Sequence, residues 1–438
     1  MILKRTDNQY KFDAFRKEFS TFTFEGQTVK RENGALTLAF DFSLDDRYHF
    51  RPTLEIPARP FFDWDSLPAE QLEALAFQIG MTELVSYWKI ACPKRVVVKP
   101  FALTESQKAF WKKLYYNGLG EFLYLNSINV SEKELMELES RGDKPFPQVE
   151  LPLQEKTLVP VGGGKDSVVT LECLRKEMPV IPLIVNPRGA TLNCVKTAGY
   201  GENEFIVINR TLDPTMLKLN AEGYLNGHTP FSALLAFISV LVAFGSRSRY
   251  IALSNENSAN ESTVPGTNIN HQYSKSIEFE RDFRNYVAEN LSGNVQYFSF
   301  LRPLSELQIA MLFAQCEAYH PVFRSCNVGS KTDSWCGHCP KCLFTWIILS
   351  PFLSKEQLVA IFGKDLMADG SLRPIYEELN GTAAVKPFEC VGTVEEVRAC
   401  MEVVNGNRNP VNEILDRFNN EHFLPEKFVQ ILKLRLNV

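Results

Sequence analysis

The chain reads as an α/β protein: a parallel sheet with helices on both faces, preceded by an α+β module. Three observations carry this. Short apolar runs alternate with helical patterns from about residue 157 onward. The runs before residue 150 instead alternate apolar and polar residues. A glycine-rich loop sits between a strand pattern and a helix pattern at Val161–Ser167.

In the first 150 residues, FSTFTFEG and ALTLAFDFSL have the period of half-buried strands, and YHFRPTLEIP reads as another that ends near Pro57. LPAEQLEALAFQIGMTELVSYWKIA and SQKAFWKKLYYNGLGEFLYL carry helical spacing. ESRGDKPFPQVELPLQEK, polar and Pro-containing, is the expected linker. Then TLVPV, VIPLIVN, FIVIN and YIALSN read as buried strands. DSVVTLECLRKEM, TLNCVKTAG and PFSALLAFISVLVAF read as the helices between them, the last with Thr229 as its cap and Pro230 in its first turn. Residues from about 355 read as a helical tail. The expected units are 1–150, an α+β region for substrate recognition; 151–354, the nucleotide-binding and catalytic region; and 355–438, the tail.

The 438 residues suffice for two or three cores. With 45% hydrophobic and 23% charged residues, the composition is that of an ordinary globular protein. A net charge of −5 argues against nucleic acid as a partner. No stretch reaches the ~18 apolar residues that span a bilayer. The N-terminus lacks a signal peptide's apolar core. The expectation is a cytoplasmic protein with no membrane partner, so its ten cysteines need not pair.

In a parallel sheet, ligands collect at the carboxyl ends of the strands. GGGKDS follows TLVPV and ENSANES follows YIALSN, so both loops fall on that edge. Glycines let the backbone approach an anion, and a helix N-terminus holds phosphate. The loop is not a Walker A loop: Val159 stands where that pattern needs glycine, and Asp166 where it needs Ser or Thr. Its glycine spacing is not the dinucleotide fingerprint either. Gly162, Gly163, Gly164, Lys165, Asp166 and Ser167, with Asn186 at the end of VIPLIVN, form the expected nucleotide-binding set.

Cys326, Cys336, Cys339 and Cys342 have the spacing C-x9-C-x2-C-x2-C. Four thiolates suit a closed, structural zinc site. Reduced cysteines without metal, or a catalytic thiol such as Cys326, are the other readings. His338 lies inside the knuckle and reads as a solvated loop residue. His271 and Lys275, four apart, can share one helical face and act as acid and base, or bind phosphates and carboxylates. Glu256 and Glu261 can hold magnesium or act as base. His228 can contact nucleotide or fix the turn before the long helix.

Gly163, Gly164, Asp166 and Ser167 resemble the SGGxDS loop of the PP-loop ATP pyrophosphatases, with Gly162 in place of the first Ser. The cysteine spacing resembles the zinc site of 7-cyano-7-deazaguanine synthase, another PP-loop enzyme. NGHTPFSALLAF, LSNENSANES, NINHQYSKSIEFE and WCGHCPKC together resemble the UDP-N-acetylmuramoyl-L-alanyl-L-glutamate epimerases over residues 157–353. That resemblance implies ATP and Mg2+ as cofactors, an acyl-adenylate, AMP and pyrophosphate as products, and inversion of a terminal glutamate in a peptidoglycan precursor. It also implies a functional link to the ligase that adds L-glutamate to UDP-MurNAc-L-Ala. Amide- or nitrile-forming enzymes of the deazaguanine type and tRNA-thiolating enzymes are the alternatives on the same core.

Overall fold

The computed structural model describes residues 5–404, 406 and 410–436. It is a mixed α/β structure around one sheet of eleven strands. In chain order these are β1 (Thr21–Glu32), β2 (Ala35–Leu44), β3 (Tyr48–Phe50), β4 (Thr53–Ile56), β5 (Arg95–Val98), β6 (Glu137–Ser140), β7 (Gln154–Pro160), β8 (Val180–Val185), β9 (Ile206–Thr211), β10 (Ser248–Leu253) and β11 (Gln296–Ser299). The spatial order is β11-β10-β7-β8-β9-β4-β2-β1-β5-β6, with β3 beside β2.

Strands β11, β10, β7, β8 and β9 are parallel. Alternate residues of each face opposite sides. Leu158, Ile181, Leu183, Ile251 and Tyr297 enter one apolar core. Val159, Val180, Ile184, Ala252 and Phe298 enter the other. With both faces covered, the buried parts of the strands need apolar residues on both sides, which is why they read as short continuous runs. β10 and β8 flank β7 on opposite sides, so the chain winds away from β7 in both directions. That reversal opens a crevice at the carboxyl ends of β7 and β10.

The N-terminal strands join this sheet. β4 pairs antiparallel with β9 through Thr53↔Thr211 and Leu54↔Arg210. β1 and β2 form a hairpin whose turn, Asn33-Gly34, has positive φ at both residues, as a two-residue turn between twisted strands requires. YHFRPTLEIP forms two strands, since Pro52 separates β3 from β4.

The helix Ala69–Trp88 is buried along most of its length, between the N-terminal hairpin and the helix Phe231–Gly245. Thr229 does not cap the latter; its hydroxyl instead accepts from Ser86 at 3.5 Å. Among the described residues no helix is long and apolar enough to cross a membrane. Beyond residue 355 the chain is mostly helical, but residues 381–393 form an irregular, turn-rich loop that returns to the site.

Candidate active site

The glycine loop follows β7 and ends at the helix Lys165–Leu174, whose N-cap is Gly164. Gly163 has φ of +80°, and a Cβ there would lie 2.9 Å from the Ala190 carbonyl carbon and the Thr191 nitrogen. Only glycine fits both the backbone and the space. Gly163→Ala is therefore expected to cost about 1–2 kcal/mol and to weaken nucleotide binding. Thermal melts and an ATP titration check this; unchanged values in both would contradict it. A side chain at Gly162, by contrast, would meet nothing within 4 Å. That open space is consistent with serine at this place in the loop that GGGKDS resembles.

Beyond the loop lies an open cavity of about 290 Å3. Gly162, Gly164, Asp166 and Ser167 line it. So do four cations (Arg188, Lys275, Arg324 and Lys341), while Asp166 is the one carboxylate. Such a wall suits a polyanion. Burial opposes the charge on Asp166, but Lys165, with Lys341 and Lys275 behind it, holds the carboxyl below its usual range. Val161, Val185, Phe231 and Leu253 supply apolar wall. Phe231 is 43% exposed and opens the helix Phe231–Gly245.

Two residues of the expected nucleotide-binding set turn elsewhere. Lys165 is buried and ion-paired to Asp166 and Glu306. Burial disfavours its charge, but the two carboxylates raise its pKa. It pairs with Asp166 from behind and does not line the cavity. Asn186 has φ of +53° and its Oδ1 accepts from the Arg210 backbone at 2.7 Å, which ties the end of β8 to β9.

His271 and Lys275 do not share an α-helical face. His271 is in a turn, and Lys275 ends the short 3-10 helix Tyr273–Lys275. Ser276 then caps the helix Ile277–Asn290 through the Phe279 amide. The two side chains still converge, on a residue 115 positions from Lys275: its Nζ donates to Cys390 Sγ at 3.1 Å. His271 hydrogen-bonds Glu121 through Nδ1, and its ring lies beside Cys390. Burial opposes the His271 cation, but Cys390 and Glu121 outweigh it and push the pKa up to about 10. Burial, then His271, lowers His228 to about 4; its Nδ1 lies 3.7 Å from Glu121. Lys275 is raised by Cys390 and Glu256 against burial. Glu256 is buried; desolvation pushes its carboxyl up, while Lys275 pulls it down. Glu261 pairs with Lys386.

Cys390, Glu121, Arg188, Arg324 and Lys341 were not picked out from the sequence. Lys341 lies inside the cysteine motif, between Cys339 and Cys342, where the sulfurs draw the attention; the others lie in no chemical motif. The signal for Arg188 was its place just after β8; for Cys390 there was none.

The four clustered cysteines come together. Their sulfurs lie within 4.8 Å of one another. Sγ separations are 3.5 Å for Cys339–Cys342, 3.7 Å for Cys336–Cys342 and 3.8 Å for Cys326–Cys339. A tetrahedron with Zn–S bonds of ~2.3 Å has edges of ~3.8 Å, so the set fits zinc. Cys326 Sγ also accepts from the Gly329 and Cys336 amides at 3.1 and 3.4 Å, which favours a thiolate. His338 turns its Nδ1 to the Cys336 carbonyl at 2.8 Å and stays exposed, outside the sulfur set.

Residues 14–300 match the family model of the MurL N-terminal domain, and residues 322–422 that of the MurL C-terminal domain. Three curated relatives each bear the name UDP-N-acetyl-alpha-D-muramoyl-L-alanyl-L-glutamate epimerase. The one from a Micromonospora species is 36% identical over 393 residues, covering 87% of this chain and 86% of its own. That from Xanthomonas oryzae pv. oryzae is 35% identical over 405 residues, 89% and 87%. That from Salinispora tropica is 36% identical over 400 residues, 87% and 84%. With one domain model covering more than half of the chain, and relatives matched over most of their length, this chain belongs to the MurL family.

Proposed function

We propose that the protein inverts the terminal L-glutamate of UDP-N-acetylmuramoyl-L-alanyl-L-glutamate. ATP with Mg2+ converts a glutamate carboxylate to an acyl-adenylate, and AMP and pyrophosphate leave. The observation that carries the reading is one shared residue. Lys275 lines the cation-walled cavity at the glycine loop and also belongs to the His271 cluster. An activated carboxyl held at the loop therefore has proton-transfer groups beside it.

The chemistry needs that adjacency. Removing the α-proton beside an ionised carboxylate would build a dianion. An acyl-adenylate carries no charge at that carbonyl, so its α-proton is far more acidic. A ~10⁶-fold gain corresponds to about 8 kcal/mol of barrier. His271, Lys275 and Glu256 then assist the proton transfers, either by moving protons or by holding the developing charge and the carboxyl oxygens. Mg2+ would sit on the phosphates beside Asp166, the carboxylate at the loop, and would neutralise their charge. The first 150 residues would recognise the substrate, residues 151–354 bind nucleotide and carry the cysteine cluster, and the rest close the site. A cytoplasmic ligase that adds L-glutamate to UDP-MurNAc-L-Ala would supply the substrate for peptidoglycan synthesis.

Incubation with ATP, Mg2+ and the L-glutamate substrate in D2O tests this. Deuterium should enter at the α-carbon of the epimer, with AMP and pyrophosphate formed alongside. Exchange at full rate without ATP would refute activation. AMP and pyrophosphate without stereochemical change would move the chain to the amide-forming or thiolating alternatives.

A further inference from the structure

Cys390 is out of place in a tail expected to be helical. It lies in the irregular loop 381–393, which is fixed just ahead of it. Lys386 donates its amide to the Thr263 carbonyl at 3.2 Å and its ammonium to the Gly392 carbonyl at 2.9 Å. Phe388 packs on Tyr124 with ring centroids 5.4 Å apart. Glu389 accepts from Asn327 at 2.6 Å, beside the nucleotide cavity. Just past these anchors the thiol accepts from Lys275 and lies beside His271.

We infer that Cys390 is the base that takes the α-proton of the activated glutamate, with Lys275 and His271 holding its negative charge. This rests on the epimerase reading above. A nucleophile beside an imidazole, itself oriented by a carboxylate, is the arrangement Cys390–His271–Glu121. The charges agree with the geometry. Burial favours a neutral thiol, but Lys275, Lys341 and His271 outweigh it and hold Cys390 well below its ordinary value, even with Glu256 and Glu389 near. His271 and Lys275 are themselves pushed toward their cationic forms, so neither is ready to accept a proton.

In the step, the Cα–H bond breaks and an S–H bond forms. The electron pair moves onto the acyl carbonyl oxygen. The Glu256 carboxyl returns a proton to the opposite face, the pair returns to Cα, and thiol and carboxylate reset by exchange with water.

The test uses full-length Cys390→Ala and Cys390→Ser with ATP, Mg2+ and substrate in D2O. Deuterium uptake and epimerisation should fall at least ~100-fold, while pyrophosphate release falls less than ~10-fold and KM changes little. Exchange at the wild-type rate in Cys390→Ala overturns the inference. So does equal loss of exchange and pyrophosphate release, the mark of a binding or structural role. Wild-type protein without exchange overturns the epimerase reading itself, and the assignment with it.

A second measurement needs no variant of Cys390. Iodoacetamide labelling of the native protein, read at Cys390 by mass spectrometry, should persist well below pH ~8, the range of an ordinary thiol. It should slow at least ~10-fold in His271→Gln or Lys275→Met. Labelling only above pH ~8, unaffected by those changes, overturns the inference.

Discussion

Asp166→Ala and Ser167→Ala are each expected to lower ATP-dependent pyrophosphate release by at least ~100-fold, about 2.7 kcal/mol of transition-state stabilisation. The protein should stay folded. Both side chains line the cavity at the start of the helix Lys165–Leu174. Asp166 is the one carboxylate there, and it faces Lys165, Lys341 and Lys275. Removing it takes away the group placed to meet a phosphate-bound cation. Lys165 remains paired with Glu306, so no buried charge is left alone and the melting temperature should move by only a few degrees. Ser167 gives up only a hydroxyl bond to the Gly164 carbonyl at 3.0 Å. A pyrophosphate assay beside a thermal melt reads both. Normal turnover in either variant would remove that residue from the phosphate-binding role.

The protein purified without chelator should carry about one zinc per chain, and Cys339→Ser should lose it. Cys339 is the N-cap of the helix Pro340–Leu349, and Cys342 lies in its first turn. That helix packs against the helices Glu306–Ala314, Arg373–Leu379 and Val394–Val404. The metal would pin the helix start to Cys326 and Cys336, which come from the preceding loop. Its loss should cost at least ~4 kcal/mol, in the range of exceptional single substitutions. Elemental analysis and a thermal melt check this. Absence of metal in the native protein would contradict the zinc reading, whatever the variant does.

The cysteine set and the glycine loop were legible because their geometry is local. Four sulfurs within 17 positions, or three glycines between a strand and a helix, can meet with little help from the rest of the chain. The parallel strands were legible for a related reason. Burial on both faces demands apolar runs, and β8 and the buried half of β7, Thr157–Pro160, show them. The spacing of His271 and Lys275 suggests a shared helical face, whereas a turn and a 3-10 helix bring both to Cys390.

What the sequence by itself determined is the set of local devices: the glycine loop between strand and helix, the sulfur cluster, and the strand–helix rhythm that puts two loops on one edge. Each follows from short-range sterics and periodicity, which neighbouring residues impose on one another. The tertiary structure alone decided the rest. It joined β4 to β9, turned Lys165 back onto Glu306, and tied Asn186 to Arg210. It brought Glu121 to His271 across 150 positions and Cys390 to Lys275 across 115. No local pattern marks such residues. They meet only when the sheet is assembled and a loop of the tail is anchored against Thr263 and Asn327, because burial of the whole core sets where that loop lies.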